Sequence, residues 1–461
     1  MSLKRLIFAL LISLMIPLPV QAQAPTYPIY VIQPGDTLNA VAILFSTTTD
    51  EIIQLNNITN PNFISEGTEL FIPGLQGISG YLVKTAVPLG ETYYSLLKHS
   101  PLSASDLARI NRLTSPNEVF SGAPLITAQS SAETTLLPFI SIQPGVTLLE
   151  AAVLQGISPA SLVNQNTLQG SWDIVNHQTL YSAQNAEDAS LFTRNSPIRD
   201  INISPLPLMQ GKTIVIKVKT NEPLTLTGSL NDHELHFFPA EENEYIALQG
   251  IDRRVEPGTT VFSLSAADAI GEVYSFSQNI LLVKDFFPRD PMLYVDPRSL
   301  DPTVTEPEEL LVSSLTTPAT PIRRWDGYFY KPLDRTDCTS SVFGSIRGYN
   351  DSAFIYTHGG MDFIVCASNL NIYAVAPGTV VLAEFLEVRG NAVVIDHGWG
   401  VYSGYWHQSE LMVKVGDQVE AGQIIGQVGT TGRSNGAHLH LEMIVGGVQV
   451  EPLDWLTQIF P

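Results

Sequence analysis

Several residue types are scarce in this chain, and each scarcity limits what the protein can be. Lysine and arginine number 24 against 45 aspartates and glutamates, which gives a formal net charge of −21. Because phosphate binding needs a basic surface, this charge argues against a nucleic acid partner. The chain has two cysteines, Cys338 and Cys366, and therefore one intramolecular disulfide at most. Beyond the first residues no apolar run is long enough to span a bilayer, which takes about 20 residues.

The one long apolar run opens the chain and predicts a secretory signal peptide over residues 1–24. Lys4 and Arg5 supply a positive start, and Leu6–Ile16 is mostly apolar but short for a membrane span. Val20-Gln21-Ala22 offers small residues for cleavage. We therefore expect an exported protein that acts outside the cell, in the cell wall or in the periplasm. A retained N-terminal anchor is the alternative interpretation.

A length of 461 residues allows about three to five modules, and the first of them form an internal repeat. Equivalent residues recur at a spacing of 55: Gly35, Gly90 and Gly145; Thr37, Thr92 and Thr147; Asn56, Asn111 and Asn166. Each unit has a short strand, a turn with proline and glycine, two helices and a second strand. The threonine after the turn is expected to cap the first helix. The repeat predicts small β-α-α-β domains over residues 27–74, 80–128 and 136–183.

Residues 196–284 lack this repeat and instead alternate apolar with polar side chains in short runs, as between Ile214 and Val218. Turn residues such as Pro257-Gly258 separate the runs at about ten-residue spacing. We predict an all-β sandwich of immunoglobulin-like architecture with a spacing or docking role. His233 and His236 could bind a metal as a pair, but a structural role at a strand edge is the favoured interpretation.

Residues 285–324 are rich in proline, with Pro288, Pro291, Pro297, Pro302, Pro307, Pro318 and Pro321. Proline stiffens a segment and blocks regular helix and sheet. We therefore expect a linker, or an arm that wraps around the domain that follows.

The C-terminal part concentrates polar motifs: H-G-G-M-D from His358 to Asp362, Y-W-H-Q-S around His407, G-T-T-G-R-S-N-G, and H-L-H from His438 to His440. Five of the nine histidines lie between His358 and His440. Zinc binds histidine and carboxylate, and a catalytic zinc keeps three protein ligands and one open position. His358, Asp362 and one of the two late histidines would supply such a set.

The H-L-H triplet belongs to an alternating apolar run from Ala437 to Val445, which predicts a β-strand. Residues two apart on a strand face the same side, so His438 and His440 face together while Leu439 enters the core. Two histidines on one face, with H-x-x-x-D upstream, favour a functional site over isolated structural histidines. Runs such as Thr379–Ala383, separated by glycine turns, predict a compact antiparallel β domain.

Together, H-x-x-x-D, Y-x-H-x-S and G-x-S-x-G-x-H-x-H resemble the M23 peptidase family, the LytM/lysostaphin-type zinc endopeptidases of peptidoglycan. The resemblance places this domain at residues 325–461. It implies one zinc ion held by His358, Asp362 and His440, with His407 and His438 as the two histidines that assist the reaction. Such a zinc polarises a carbonyl and lowers the pKa of bound water from about 15.7 towards about 7. One of the two assisting histidines would orient or deprotonate that water.

Other polar residues of this domain have open assignments. Arg347 either binds a substrate carboxylate through a bidentate contact or forms a structural salt bridge. Tyr405 either packs or lines the cleft, so both residues are candidates for substrate binding. His397 is interpreted as a turn residue. In an oxidising compartment Cys338 and Cys366 are expected to form a disulfide, with two buried free thiols as the alternative.

The first repeat, Y-V-I-Q-P-G-D-T-L to L-F-I-P-G, resembles a LysM domain, and the second and third resemble it more weakly. The third has Val146 in place of an acidic residue, and His177 where Gly67 and Gly122 stand in the others. The resemblance implies a fold that binds the N-acetylglucosamine backbone of peptidoglycan. Repeats that act only as spacers are the alternative.

The predicted fold class is therefore multidomain: LysM-like β-α-α-β repeats, an Ig-like β-sandwich and a C-terminal β-rich M23 domain. The expected function is that of an exported zinc metalloendopeptidase that binds peptidoglycan and hydrolyses its stem or bridge peptides. One alternative is an inactive activator or scaffold for another wall hydrolase. Another is a carrier barrel, because Val415–Gly429 resembles biotinyl/lipoyl domains, but Lys414 precedes that motif and the histidines would be unexplained.

Overall fold

The computed structural model describes residues 27–61, 63–91, 93–100, 102–129, 137–142, 145–154, 156–166, 168–174, 179–182, 197–271, 273–351 and 355–461. The predicted signal peptide, Thr92, Gln143-Pro144 and His177 lie outside the described residues. Within these ranges no helix has the length and apolar character to cross a membrane. The chain forms two compact units. The first comprises residues up to Lys84, Ser100–Leu113 and the segment from Ile126, and the second comprises the remainder.

The first repeat has the predicted order of elements: β1 (Ile29–Val31), α1 (Leu38–Leu44), α2 (Thr49–Asn56) and β2 (Glu69–Phe71). The strand β1 pairs antiparallel with β2. Thr37 caps α1 by accepting a hydrogen bond from the backbone N–H of Ala40. Thr48 and Glu51 form a reciprocal capping box at α2. The turn residues therefore set where each short helix begins.

The structure explains why asparagine recurs at the end of the second helix. Asn56 Nδ2 donates to the carbonyl of Phe71 at 2.8 Å, and Asn56 Oδ1 accepts from the N–H of Phe71 at 2.7 Å. Asn111 and Asn166 make the same two bonds to the residue 15 positions further on. The amide supplies both a donor and an acceptor, so it joins the last strand of each repeat to the preceding helix.

The second and third repeats contain β3 (Tyr81–Ala86), α3 (Tyr93–His99), α4 (Ala104–Asn111), a 3-10 turn (Pro116–Glu118), β4 (Pro124–Gln129), β5 (Leu137–Ser141), α5 (Leu148–Leu154), α6 (Pro159–Gln165) and β6 (Thr179–Ser182). One sheet has the order β2-β1-β3-β4, and β5 pairs antiparallel with β6. The third repeat buries its own apolar cluster, with Ile140, Leu162 and Leu180 at its centre. The β-α-α-β order thus occurs three times.

The middle module is built from two β-sheets. Its strands are β7 (Ile198–Ser204), β8 (Leu208–Met209), β9 (Thr213–Thr220), β10 (Thr225–Leu230), β11 (His233–Leu235), β12 (Phe238–Glu241), β13 (Glu244–Gly250), β14 (Gly258–Ala267) and β15 (Val273–Val283). The sheets have the orders β11-β10-β14-β15-β8 and β12-β13-β9-β7. Ile214, Ile216 and Val218 alternate into the core that the two sheets share. This all-β architecture agrees with the predicted sandwich, whose immunoglobulin-like character stays a prediction.

The proline-rich segment contains a 3-10 turn (Pro297–Leu300) and a 15-residue helix, α7 (Pro302–Thr316), which corrects the expectation that its prolines exclude regular structure. Asp301 caps α7, and Pro307 lies inside it. A proline in a helix interior removes one backbone hydrogen bond, but α7 buries one face on an apolar cluster of the C-terminal sheet. The buried Glu308 accepts a hydrogen bond from the N–H of Val388 at 2.7 Å. Of the two expected forms, the segment is therefore the wrapping arm.

The C-terminal domain is a mainly antiparallel β structure. It comprises β16 (Thr339–Ser341), β17 (Ile346–Gly348), β18 (Ile355–Thr357), β19 (Met361–Ile364), β20 (Asn371–Tyr373), β21 (Gly378–Leu386), β22 (Gly390–Gly398), β23 (Val401–Leu411), β24 (Gln418–Val419), β25 (Ile424–Val428), β26 (His438–Val445), β27 (Val448–Val450) and α8 (Pro452–Thr457). The main sheet has the order β16-β19-β26-β23-β22-β21-β24. Its strand β26 lies between β19 and β23, which brings the three polar motifs onto neighbouring strands.

Candidate metal centre

Three side chains from two paired strands and the turn before them converge on one point. His358 Nε2 lies 3.1 Å from Asp362 Oδ1 and 2.9 Å from His440 Nδ1, and His440 Nδ1 lies 2.8 Å from Asp362 Oδ1. All three residues are buried. Asp362 and His440 are direct partners in the antiparallel pairing of β19 and β26. The strand pairing therefore places Asp362 and His440 directly opposite each other, so that their side chains can converge.

The atoms that do not face this point are held by separate partners. His358 Nδ1 donates to the carbonyl of Val342 at 2.9 Å, and His440 Nε2 donates to Glu442 Oε1 at 3.1 Å. Asp362 Oδ2 accepts from the Arg347 guanidinium. These bonds leave a lone pair on His358 Nε2 and on His440 Nδ1, and they leave Asp362 Oδ1 open. Outer partners of this kind fix the tautomer and direction of metal ligands.

This arrangement fits a zinc ion. Zinc bonds of about 2.0–2.1 Å at tetrahedral angles would separate the donor atoms by about 3.3 Å. The three donor atoms are 2.8–3.1 Å apart, so a shift of a few tenths of an ångström would seat the ion. Two neutral imidazoles and one carboxylate are also the donor types that zinc takes in catalytic sites. In the described part of the chain the other group of potential donors is Asp337, Cys338 and Cys366, and its two cysteines are joined in a disulfide.

His438 lies beside this centre on the same face of β26. Its Nδ1 donates to the carbonyl of Gly436 at 2.8 Å, and its Nε2 lies 3.7 Å from Asp362 Oδ1. Leu439 and Leu441, which alternate with the two histidines, are fully buried. The predicted strand and its facing are confirmed. Because Nδ1 carries the proton, His438 directs an unprotonated nitrogen towards the centre.

His407 reaches the same place through a β-bulge in β23. The pairing of β23 with β22 shifts in register between Asn391 and Val393, and His407 has a φ of 64°. A bulge lets two consecutive residues leave strict alternation, so Trp406 and His407 both line the cavity. His407 Nδ1 donates to the carbonyl of Thr431 at 2.8 Å, and its ring centre lies 4.8 Å from that of His438. Its Nε2 is thereby left as an acceptor.

Burial keeps three of the four site imidazoles neutral. It lowers the pKa of His358 to about 4 and that of His407 to about 3, and it also lowers the pKa of His438. Burial would raise the pKa of Asp362, but the charge and hydrogen bonding of His358 and His440 hold that pKa well below its usual range. Neutral imidazole binds metal or accepts a proton, and ionised carboxylate binds metal. At neutral pH His358, His407, His438 and Asp362 are therefore in their useful forms. Burial would lower the pKa of His440, but hydrogen bonds to Asp362 and Glu442 raise that pKa.

The structure brings some of the remaining predicted residues to the site and leaves others out. Arg347 bonds Asp362 and, at 3.0 Å, Asp290 of the arm, so its guanidinium forms the structural ion pairs that were one of its two expected roles. Tyr405 is fully buried, and its hydroxyl accepts from the N–H of Val375 at 2.9 Å. This corrects the expectation that Tyr405 contacts substrate: it packs in the core. Cys338 and Cys366 are joined in a disulfide.

A cavity of about 450 Å³ opens over the centre. Four histidines line it: His358, His407, His438 and His440. Ile364, Trp406, Arg389 and Arg433 also line it. The arm adds Asp290, Pro291, Leu293 and Glu309. Sequence reasoning missed Asp290 and Glu442, which complete the outer hydrogen bonds of Arg347 and His440. Glu442 follows His440 by two residues and so shares its face of β26, a sign that was present in the sequence.

The fold and the centre together define a class: a β-rich domain with a buried histidine–aspartate–histidine cluster, able to hold a metal ion, in an open groove. Residues 356–452 match the model of peptidase family M23, and residues 30–73 and 87–127 match that of the LysM domain. The chain therefore carries an M23 peptidase domain behind LysM segments, and the resemblance is confirmed. The third repeat is not among the matched residues.

The matches to individual relatives cover part of this chain. The chain is 37% identical over 122 residues to the peptidoglycan DD-endopeptidase ShyA of Vibrio cholerae, which is 26% of this chain and 28% of that protein. It is 38% identical over 93 residues to the murein hydrolase activator EnvC of Escherichia coli, 20% of this chain and 22% of that protein. A solved M23 peptidase structure from Pseudomonas aeruginosa shares 25% identity, covers 55% of this chain and 96% of that chain, and has a TM-score of 0.41. The chain thus spans less than a third of the length of both curated relatives.

Proposed function

We propose that this protein is an exported zinc endopeptidase that hydrolyses peptide bonds in peptidoglycan cross-links. Its LysM segments would hold it on the glycan strands. The observation that carries the proposal is the convergence of three donor atoms, from His358, Asp362 and His440, beside two further imidazoles in an open groove. The family match and the similarity to a peptidoglycan DD-endopeptidase support the substrate class.

Each side chain has a distinct role in this proposal. His358, Asp362 and His440 would hold zinc, which would supply a Lewis acid for the scissile carbonyl and an acidified water. His438 or His407 accepts the proton of the attacking water at its bare Nε2, and the protonated imidazole then donates to the departing amine. A positioned general acid–base of this kind is worth roughly 10²–10⁴-fold in rate. Arg347 orients Asp362 by binding its Oδ2.

Digestion of purified peptidoglycan by the full-length protein, with and without a chelator, tests the proposal. Soluble peptide-linked fragments identified by mass should appear without the chelator and disappear with it. His440→Ala should lose both zinc and activity, because it removes a ligand. His438→Ala should keep zinc and lose activity. Full zinc occupancy in the His440→Ala protein would contradict the ligand assignment.

A second candidate function is activation of another wall hydrolase, which the similarity to the activator EnvC favours. The complete ligand set argues for catalysis, since an activator has no need of a metal centre with an open position. The two functions separate in one assay. An activator would release nothing from purified peptidoglycan alone and would increase the release caused by an added amidase or endopeptidase.

The glycan-binding part of the proposal needs its own test. The full-length protein should sediment with purified peptidoglycan, and soluble N-acetylglucosamine oligomers should compete. Sedimentation that is unaffected by a large excess of these oligomers would remove the LysM role and leave the repeats as spacers.

A further inference from the structure

The middle β-sandwich and the C-terminal domain share one apolar core. Phe238, Ile246 and Leu248 of the sandwich are buried in the same cluster as Trp399 and Trp455. The Phe238 ring stacks on Trp399, with ring centres 5.4 Å apart and planes within 5°. A fully desolvated contact of this kind is typical of a domain interior rather than of a hinge between modules. The sandwich is therefore joined firmly to the domain that holds the metal centre.

Arg253, in the turn between β13 and β14, places a charge inside this junction. The residue is 5% exposed. Its Nη2 donates to the carbonyl of Thr357 at 2.8 Å, its Nε donates to Thr357 Oγ1 at 3.1 Å, and its Nη1 donates to Gln449 Oε1 at 2.8 Å. Burying a guanidinium is costly unless its donors are satisfied. The rigid fork meets three oxygens from two strands at once, a task that suits arginine.

Both residues that accept hydrogen bonds from Arg253 lie close to proposed metal ligands, one along the chain and one through strand pairing. Thr357 precedes His358 in the chain, so its carbonyl belongs to the peptide unit that carries the His358 nitrogen. Gln449 lies on β27 and pairs with Ile444 of β26, the strand of His440. Arg253 thus binds the residue that precedes His358 and a residue on the strand paired with that of His440.

Arg253 also contacts an aromatic ring beside the residue that orients His358. The Arg253 guanidinium lies 5.6 Å from the centre of the Phe343 ring. The neighbouring residue, Val342, supplies the carbonyl that accepts the His358 Nδ1 proton. The His358 backbone N–H also donates to Ser345 at 2.9 Å. The loop that orients His358 is therefore packed under the same guanidinium.

We propose that Arg253 is a positioning residue for the metal centre, so that the sandwich completes the catalytic domain instead of acting as a spacer. The inference rests on the proposed zinc site. Arg253 is outside the set of described residues that line the cavity, so it acts through Thr357, Gln449 and Phe343 and not by touching substrate. Loss of such outer support typically weakens metal binding by about 10–100-fold.

The test compares Arg253→Met with Arg254→Met in the full-length protein. Arg254 is the matched control, because it is largely exposed and pairs with Asp252 of its own turn at 2.7 Å. Zinc affinity is measured by competition with a chromogenic chelator, and the cobalt-substituted proteins are compared by their visible absorption. Arg253→Met should bind zinc about 10–100-fold more weakly and show an altered cobalt spectrum. Arg253→Lys should recover part of the affinity, and Arg254→Met should match the wild type in both.

Two further variants separate positioning from folding. Lys212→Met removes the ion pair of 3.0 Å between the sandwich and Asp454 of α8, so it should lower the thermal midpoint with zinc affinity unchanged. Thr357→Val removes one acceptor of Arg253 with little change in volume and should weaken zinc binding even if Arg253→Met fails to fold. Wild-type zinc affinity and cobalt spectrum in both Arg253→Met and Thr357→Val would overturn the proposal. A wild-type protein that binds no zinc would instead refute the proposed function.

Discussion

His397 makes the C-terminal domain sensitive to acid, and the size of the effect follows from its surroundings. The side chain is fully buried. Its Nδ1 donates to the carbonyl of Pro377 at 2.8 Å, and its Nε2 accepts from Ser403 Oγ at 2.7 Å. Burial lowers the pKa of His397 from 6.5 to about 4. The folded protein therefore takes up this proton only at a pH where the unfolded chain is already protonated.

The lowered pKa of His397 determines how the free energy of unfolding changes with pH. Because the folded pKa lies below the unfolded pKa, the stability contributed by neutral His397 is complete above pH 6.5 and is lost as the pH falls towards about 4. A shift of about 2.5 units corresponds to about 3 kcal/mol at 1.36 kcal/mol per unit. His397→Asn keeps a donor for Pro377 but cannot titrate. Between pH 7.5 and pH 4, the free energy of unfolding of His397→Asn should therefore fall by about 3 kcal/mol less than that of the wild type.

Urea unfolding followed by tryptophan fluorescence at several pH values measures this difference. A chelator in every sample makes the metal-site histidines contribute equally to both proteins, so they cancel in the comparison. His236→Asn, at an exposed position of the sandwich, is the control and should follow the wild-type profile. At pH 7.5 the His397→Asn protein will be less stable than the wild type by about 1–3 kcal/mol, because it loses the hydrogen bond to Ser403. Parallel profiles for His397→Asn and the wild type would refute the reasoning.

Three other predictions follow from single contacts. Replacing Cys338 and Cys366 together by serine should lower the free energy of unfolding by about 3–4 kcal/mol for a loop of this size, which urea titration with and without reductant measures. Asn56→Ala should free β2 from α2 and reduce sedimentation with peptidoglycan several-fold. Glu308→Gln should weaken the hold of α7 on Val388 and speed proteolytic cleavage in the arm, and Glu306→Gln should leave the cleavage rate unchanged.

The sequence predicted those parts of the site that local periodicity determines. The spacing of His438 and His440 indicated a shared strand face, and the structure has it because β-strand alternation is a local property. The zinc-ligand set came from motif resemblance. Asn56, Asn111 and Asn166 were visible as a recurring residue, but their pairing with a strand 15 residues later needed the fold.

Other features depended on contacts that no local pattern encodes. The register shift that turns His407 into the cavity arises where β23 meets two neighbouring strands, so it cannot be read from the residues of β23 alone. The helix α7 forms despite Pro307 because its apolar face is covered by the C-terminal sheet. Strict alternation would place Tyr405 and His407 on one face, but the bulge turns His407 into the cavity and leaves Tyr405 in the core.

The geometry of the centre is distributed over segments that are far apart in the chain. Each ligand has its second polar atom tied to a different partner: His358 to Val342, Asp362 to Arg347, and His440 to Glu442. Arg347 is tied in turn to Asp290 of the arm, and the segments around His358 and His440 are tied to the sandwich through Arg253. A site held to a few tenths of an ångström needs rotamers fixed by such outer contacts. The sandwich and the arm therefore both contact the segments that carry the proposed ligands.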